Sequence, residues 1–567
     1  MATWKPYRIA DAISEIENDK FVLPVIQRRL VWDEEKMELL FDTILKGNAF
    51  GGIIVIEEEK ESKPLFSFRK FTKTGEPLSS ITVESLSQNQ FFVIDGQQRL
   101  QSLYIGLAGS MNHKVLYFDL YSDYNNTEYE FKFENDYTKL PKSSKETEER
   151  PVKEHLWYLA SDLLKRLKET NDEDPVAEGI IAAKKITEDN LKTHVQKNVK
   201  AFYKNIVTAE CLGISKVTIN KTKNETDNRQ KIVELFRRLN DGGTKLSSFD
   251  LVASILKGFE WEMEAFLEQT LEKYEEVGLN QDNLIKLIFL LQDNHVKEMS
   301  AIEASDAQFA IASKERIEKV LKALKTFLIH AKLYDYYKEG NRSFIPLFFV
   351  CYHLFHKSIS NDELEHYFDN FDSNHPEFNR IYMWVYHSLL NGVFKSKGAG
   401  WIPYKTGIKK ILEKIKNYKN LPFPTQDLFD VYLSHPIVFT RDYNIDTLNR
   451  LDTSFLYYIM YDRSQTIRQN DIDHIHPKSL LEASGVEWSK INNVVNYQLL
   501  DVGTNRGEKN GKPLIEWLEK WVENKPLYLN RHLIPESEEL LEIDRYEDFL
   551  AERCRLIVSK ISKYEQG

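Results

Sequence analysis

Apolar positions in the first part of the chain recur with two different periods. Phe21 to Ile26 is a short apolar run that predicts a strand, and Asp33 then opens a stretch in which Met37, Leu40, Phe41, Ile44 and Leu45 return at helical spacing. Asp33 is placed to cap that helix and Gly47 to stop it. Strands follow at Ile53 to Ile56 and at Phe91 to Ile94, the second running into Asp95-Gly96 and a helix through Leu107. Val115 to Leu120 and the alternating Tyr129 to Phe133 add further sheet, so an α/β or α+β domain is expected here.

From about Val152 to Tyr203 the pattern is helical and rich in Lys and Glu. A polar loop at Glu169 to Pro175, with the proline as an end stop, predicts an inserted helical hairpin. A helix over Arg229 to Leu239 meets Asn240-Asp241-Gly242-Gly243, and another begins near Ser247 or Ser248 and continues to Lys257. Amphipathic helices rich in Tyr, Phe and Leu fill the chain to about residue 435, without a repeat of fixed period. Short strands return around Asp471 to Ile475 and Tyr497 to Leu500 before closing helices. The reading is an α+β multidomain chain: 1–258 with an inserted helical segment near 150–205, a helical domain at 259–440, and a third domain at 441–567.

Composition narrows the function. At 567 residues, with 42% apolar and 29% charged content, the chain is too long for one core. The longest apolar runs, such as Phe344 to Leu354, fall short of the roughly 20 residues that cross a bilayer. No signal-peptide pattern opens the chain, so a cytoplasmic protein without a membrane partner is expected. The three cysteines, Cys211, Cys351 and Cys554, form no CxxC pair, which directs any metal to oxygen and nitrogen ligands. A net charge of −11 excludes a nonspecific polycation but not a local basic groove. Lysines interleaved with Trp401, Tyr404 and Tyr418 between Phe394 and Lys419 suit such a groove. They suit equally the solvated side of a helix that buries Ile408, Ile411, Leu412 and Ile415.

The chemistry-bearing residues gather in two places. Near the C-terminus, Asp471-Ile472-Asp473-His474-Ile475-His476-Pro477 predicts a strand closed by proline, and Tyr497 to Leu500 leads on to Thr504-Asn505-Arg506-Gly507-Glu508-Lys509-Asn510. Strand alternation puts Asp473 and Ile475 on one side and His474 and His476 on the other, so a strand end or bulge must bring Asp473 and His474 to one site. Phosphodiester cleavage needs hydroxide from water, a cation against the charge developing on phosphorus, and help for the leaving oxygen. An imidazole suits the first task, and an Asp with an Asn carbonyl offers oxygens to Mg2+ or Mn2+. His474 is therefore the expected base, with Asp473 and Asn505 as metal ligands.

The Asp-Ile-Asp-His-Ile-His-Pro segment followed by Asn-Arg-Gly resembles the HNH (ββα-metal) nuclease domain, including the form found in CRISPR effectors. The resemblance implies the same roles for His474, Asp473 and Asn505. It gives Asn496 the part of a middle Asn that braces the loop through backbone hydrogen bonds, and leaves His476 and Lys509 as supporting residues.

At the N-terminal end, Phe91-Phe92-Val93-Ile94-Asp95-Gly96-Gln97-Gln98-Arg99 predicts a buried strand delivering an acid, a glycine turn, two amides and an arginine to a helix start. Unpaired N–H groups there and a forked guanidinium suit a phosphate-bearing ligand. Asp95, Gly96, Gln97, Gln98 and Arg99 are the candidate nucleotide site, with Arg28 of Gln27-Arg28-Arg29 as a further contributor. No Walker P-loop is present in the sequence.

Those segments, with Leu235-Phe236-Arg237-Arg238-Leu239-Asn240-Asp241-Gly242-Gly243, resemble the N-terminal domain of GmrSD-type enzymes, related to the ParB/sulfiredoxin-like fold. That family comprises modification-dependent restriction enzymes, the phosphorothioate-sensing SspE branch among them. The resemblance implies a nucleoside triphosphate at the N-terminal site and cutting of modified or phage DNA in antiphage defence; the oligomeric state is left open, a homo-oligomer included. Two alternatives stay open from the residues: a nucleotide-gated DNA-binding regulator with a non-cleaving HNH fold, and an RNase.

Overall fold

The computed structural model describes residues 4–26, 30, 32–61, 64–74, 86–143, 154–217, 225–241, 248–294, 302–338, 343–370, 375–394, 404–432, 443–463, 470–501, 503–509 and 511–565. It is an α+β structure in two compact units, one of residues 1–264 with 302–308, the other of 265–301 with 309–567. Most of the helical middle, apart from 259–264 and 302–308, and the C-terminal segment, which the hydrophobic pattern separates near 440, fall in one unit.

The first unit is built on strands β1 (Trp4–Tyr7), β2 (Phe21–Pro24), β3 (Gly52–Glu58), β4 (Phe68–Lys70), β5 (Gln90–Asp95), β6 (Val115–Asp119), β7 (Phe131–Glu134), β8 (Trp157–Leu159) and β9 (Leu212–Val217). Six of them form a mixed sheet in the order β1-β9-β3-β5-β2-β4, and β7-β6-β8 form a smaller antiparallel one. β5 is buried along nearly its whole length because it lies inside the sheet, parallel to β2 and antiparallel to β3. The β3–β5 register slips between Ile54 and Val55, where Ile54 faces Asp95 and Val55 faces Val93. Such a bulge re-aims the end of a strand, and here that end is Asp95.

Helix Glu34–Leu45 forms as the pattern predicts. The Asp33 carboxylate accepts the Lys36 N–H at 2.9 Å, and Met37, Leu40, Phe41, Ile44 and Leu45 are its buried residues.

The expected helical hairpin near 150–205 is corrected. The segment is a strand, β8, followed by three helices, Ala160–Thr170, Glu173–Lys184 and Asp189–Phe202. Leu163, Leu167, Ile180, Val195 and Phe202 join the same core as Phe41 and Leu103, so the segment is part of the domain. Pro175 does not stop a helix. It sits in the first turn of Glu173–Lys184, where its missing N–H has no intrahelical partner to lose. Helix Glu225–Asp241 runs on through the expected stop at Asn240, while Gly242 and Gly243 lie outside the described residues.

Among its described residues the second unit is helical apart from β10 (Asp471–His474) and β11 (Tyr497–Leu500). Its core is aromatic, with Tyr336, Phe455, Tyr386 and Trp384 buried, and helix Ile345–Phe355 is covered from Pro346 to Leu354. Helix Tyr404–Ile415 buries Ile408, Ile411, Leu412 and Ile415, as its pattern requires. The wholly buried Arg553 of helix Tyr546–Glu565 donates to the carbonyls of Val495, Tyr497, His532 and Leu533. One guanidinium fork thereby satisfies four carbonyl groups beneath β11.

Candidate functional site

Two antiparallel four-residue strands carry the C-terminal constellation. Asp471 pairs with Leu500, Ile472 with Leu499, Asp473 with Gln498 and His474 with Tyr497. β10 ends at His474, and Ile475 and His476 turn into the interior. The strand end that the Asp-His pair requires is therefore present, and alternation does not extend to His476.

Asp473 is held by two donors. The Gln498 side chain directly opposite gives Nε2 to Oδ2 at 2.8 Å, and Lys509 Nζ lies 2.7 Å from the same oxygen. Gln498 is itself fixed by the Tyr528 hydroxyl, which donates to its Oε1 at 2.8 Å. Lys509 is 1% exposed and also donates to the His474 carbonyl at 2.5 Å, so one buried ammonium links the acid to the backbone of its neighbour. Burial pulls the Lys509 pKa down, and the Asp473 carboxylate opposes that shift.

The His474 ring is half-buried, edge-on to Tyr497 at 4.9 Å, with Nε2 at 3.1 Å from the Asn492 side-chain oxygen. That oxygen can only accept, so Nε2 carries the hydrogen and the basic lone pair falls on Nδ1. Burial lowers the His474 pKa, against the Asn492 hydrogen bond and the Asp473 charge.

Asn505 lies in a π-helical turn, Thr504–Lys509, started by Asp501, whose carboxylate accepts the Thr504 N–H at 3.0 Å and its hydroxyl at 2.5 Å. Its Nδ2 donates to Asp471 Oδ2 at 3.2 Å, not to Asp473. Asp471 and Asp473 are two residues apart on β10, so their side chains share a face. The turn thus brings a carboxamide to a strand face bearing two carboxylates.

Asn496 is wholly buried and bonded only to backbone: its Oδ1 accepts the His476 N–H at 3.0 Å, and its Nδ2 donates to the carbonyls of His476 and Ile491. His476 is a core residue, 2% exposed, with its ring edge-on to Phe549 at 4.5 Å and Tyr546 at 5.5 Å. Burial, with Lys509 and Arg553 nearby, pushes its pKa down to about 3. The ring therefore stays neutral and away from the cluster.

Sequence reasoning missed Asp471, Gln498 and Asn492 as members of this site. Gln498 was legible only through strand register, which places it opposite Asp473. Asn492 had no local signal, because the turn that brings it to His474 is a tertiary feature.

At the N-terminal site, Gly96 adopts φ +86° between β5 and helix Gln97–Ala108. A Cβ there would stand 2.4 Å from Ile53 Cδ1 and 2.8 Å from the Gly52 carbonyl oxygen, so both backbone sign and close packing demand glycine. Arg99 turns back over this crossing: Nη2 donates to the Gly52 carbonyl at 2.6 Å and lies 3.5 Å from Asp95 Oδ2. Gly51, at φ +93°, lets the guanidinium approach, since a Cβ would lie 2.9 Å from Nη1. Asp95 is 45% exposed at this strand end, Gln97 is buried and Gln98 half-buried. Part of the forked donor set expected to hold phosphate is thus committed to the β3 backbone. Arg28 lies outside the described residues.

Among the described residues no helix is long and apolar enough to cross a membrane.

Residues 9–257 match the family model described as the GmrSD restriction endonuclease, N-terminal domain. The chain is also 24% identical over 256 residues to an uncharacterized protein of Methanocaldococcus jannaschii, a match that covers 43% of this chain and 40% of that one. The chain therefore spans well under half the length of this curated relative.

Proposed function

We propose that the chain is a metal-dependent DNA endonuclease of the GmrSD restriction type, acting on modified or phage DNA in the cytoplasm, with a nucleoside triphosphate at its N-terminal site. The single observation that carries the nuclease reading is the β10–β11 hairpin, where Asp471 and Asp473 share a strand face, Asn505 Nδ2 reaches Asp471, and the next residue, the half-buried His474, has its Nε2 engaged by Asn492. The match of residues 9–257 supports the restriction-endonuclease class and, through it, DNA as partner.

The donor set fits a hard cation. Two carboxylates and a carboxamide oxygen are the ligand chemistry of Mg2+ or Mn2+, and Asp473 with Asn505 would hold the ion. When bound, it would neutralise charge on the scissile phosphate and the leaving oxygen. The chain's own part is proton transfer and positioning. His474, with Nδ1 as the basic nitrogen, takes the proton of the attacking water, Asn492 fixes the ring, and Gln498 and Lys509 hold Asp473 in place.

In the first unit, Asp95, Gln97, Gln98 and the N-terminus of helix Gln97–Ala108 offer polar groups to a triphosphate. Arg99 contributes mainly by keeping the Gly51–Gly52 and Asp95–Gly96 segments together.

The test is a plasmid-nicking assay with Mg2+ or Mn2+, on unmodified, base-modified and phosphorothioated DNA, with and without each nucleotide. Wild-type protein should nick at least one of these substrates. His474→Ala should lose about 10²–10⁴-fold in rate while still shifting DNA in a gel. A wild-type protein that shifts every substrate and nicks none would be a binder, and equal nicking by His474→Ala would remove that residue as base.

A further inference from the structure

The small sheet of the first unit closes on three side chains that neither site above uses. Asp119 is the last residue of β6, Glu130 immediately precedes β7, and His155 lies two residues ahead of β8, so the three stand at one end of the sheet. Backbone bonds knit the same corner: the Asp119 N–H donates to the Glu130 carbonyl at 2.9 Å and the Leu120 N–H to the Leu156 carbonyl at 2.8 Å.

Asp119 is wholly buried. Its Oδ1 accepts the backbone N–H groups of Tyr121 at 3.0 Å and Leu156 at 2.8 Å, which orients Oδ2 toward the imidazole. His155 Nδ1 is 2.9 Å from that Oδ2 and 3.7 Å from Glu130 Oε2, and the ring stacks on Trp157 at 5.4 Å. All three ligand atoms lie within 4.8 Å of one another, the one such group of His, Cys, Asp and Glu donors among the described residues.

A ring nitrogen can give its single hydrogen well to one carboxylate, yet two converge on this one. Two ligand atoms bound at 2.0–2.1 Å to a tetrahedral ion stand about 3.3 Å apart, and the two observed separations bracket that spacing. Exposure also suits an ion: the Asp119 side chain is 0% exposed and His155 5%, whereas Glu130 at 44% leaves an entry side where water completes the coordination.

We propose that Asp119 Oδ2, Glu130 Oε2 and His155 Nδ1 form a binding site for a divalent transition metal, Zn2+ in the first instance, that staples β6, β7 and β8 together. One imidazole with two carboxylates favours Zn2+ over Mg2+, which takes oxygen ligands and retains its waters. The site differs in donor chemistry from the oxygen-only cluster on β10 and does not depend on the nuclease reading.

The test is calorimetric titration of Zn2+ into the full chain after chelator treatment. Wild-type protein should take up one tight equivalent, and Asp473→Asn should retain it. His155→Gln should abolish it, and Glu130→Gln should weaken it by at least the roughly tenfold that losing even an outer partner of a metal ligand costs. Glu130 is the partly exposed member, so its variant keeps the test decisive if His155→Gln fails to fold. No tight equivalent in the wild type, unchanged affinity in Glu130→Gln, or loss of the equivalent in Asp473→Asn would each overturn the site and leave an Asp–His hydrogen bond in its place.

Discussion

The Asp95–Arg99 crossing and the Asp473–Lys509 hairpin set the same pair of charges to different work. Each has an acid at a strand end and a long cation folded back toward it, at 3.5 Å in the first and 2.7 Å in the second. Arg99 spends its best hydrogen bond on a backbone carbonyl and is partly exposed, so it is first a brace for two glycine segments. Lys509 is buried, and its hydrogen bonds run to the acid and to the backbone of the neighbouring histidine. A buried charge cannot fall back on water, so its placement depends on its partners far more than that of a partly exposed one. The hairpin is therefore the more specified of the two, and the crossing the more tolerant.

Acidification tests this contrast most strongly. Burial, with cationic neighbours, lowers the pKa values of His476 and His532 to about 3, from an ordinary value of 6.5. Both rings are neutral in the fold, so their stabilising contribution is complete above about pH 6.5 and is lost as pH falls toward 3. Between pH 6.5 and 4 each ring should cost about 3 kcal/mol. Urea midpoints for the second unit should fall steeply over that window. A flat profile would mean that these rings are not buried as described.

Lys509→Met comes next. Removing one partner of a buried pair should cost about 3 kcal/mol in urea unfolding. Mg2+ or Mn2+ should then raise the melting temperature of the variant more than that of the wild type, since the cation would replace the lost charge beside Asp473. An equal shift in both proteins would separate Lys509 from the metal reading.

Gly96→Ala should cost about 2 kcal/mol, from positive φ and the clash with Ile53 and the Gly52 carbonyl. Unchanged stability would show that the crossing relaxes easily. Arg99→Ala is the smallest effect, about 1.5 kcal/mol, the lower end for a hydrogen bond to a charged group because the guanidinium is partly exposed, together with weaker triphosphate binding by calorimetry. A stability loss with unaltered nucleotide affinity would confine Arg99 to bracing.

Much of the local structure was legible in the sequence. The helix capped by Asp33, the strand ending at Asp95 and the β11 boundaries follow from apolar period, capping chemistry and turn residues, which act over a few positions. The same local signals found helices in the 150–205 segment but read them as an inserted hairpin, because a charged outer face gives no sign that three inner faces complete the domain core. They also passed over the short edge strands β1 and β4, too brief to show a period.

Amino-acid order by itself determined which groups stand at strand ends: Asp95 before a glycine, and Asp473 with His474 before a proline. Tertiary structure alone decided their company. Strand register put Gln498 opposite Asp473, a loop brought Asn492 to His474, the π-helical turn sent Asn505 to Asp471, and burial made Lys509 the partner of Asp473. Periodicity and propensity are properties of neighbours along the chain, whereas a hydrogen bond or ion pair between distant residues exists only once packing has fixed the distance and excluded water.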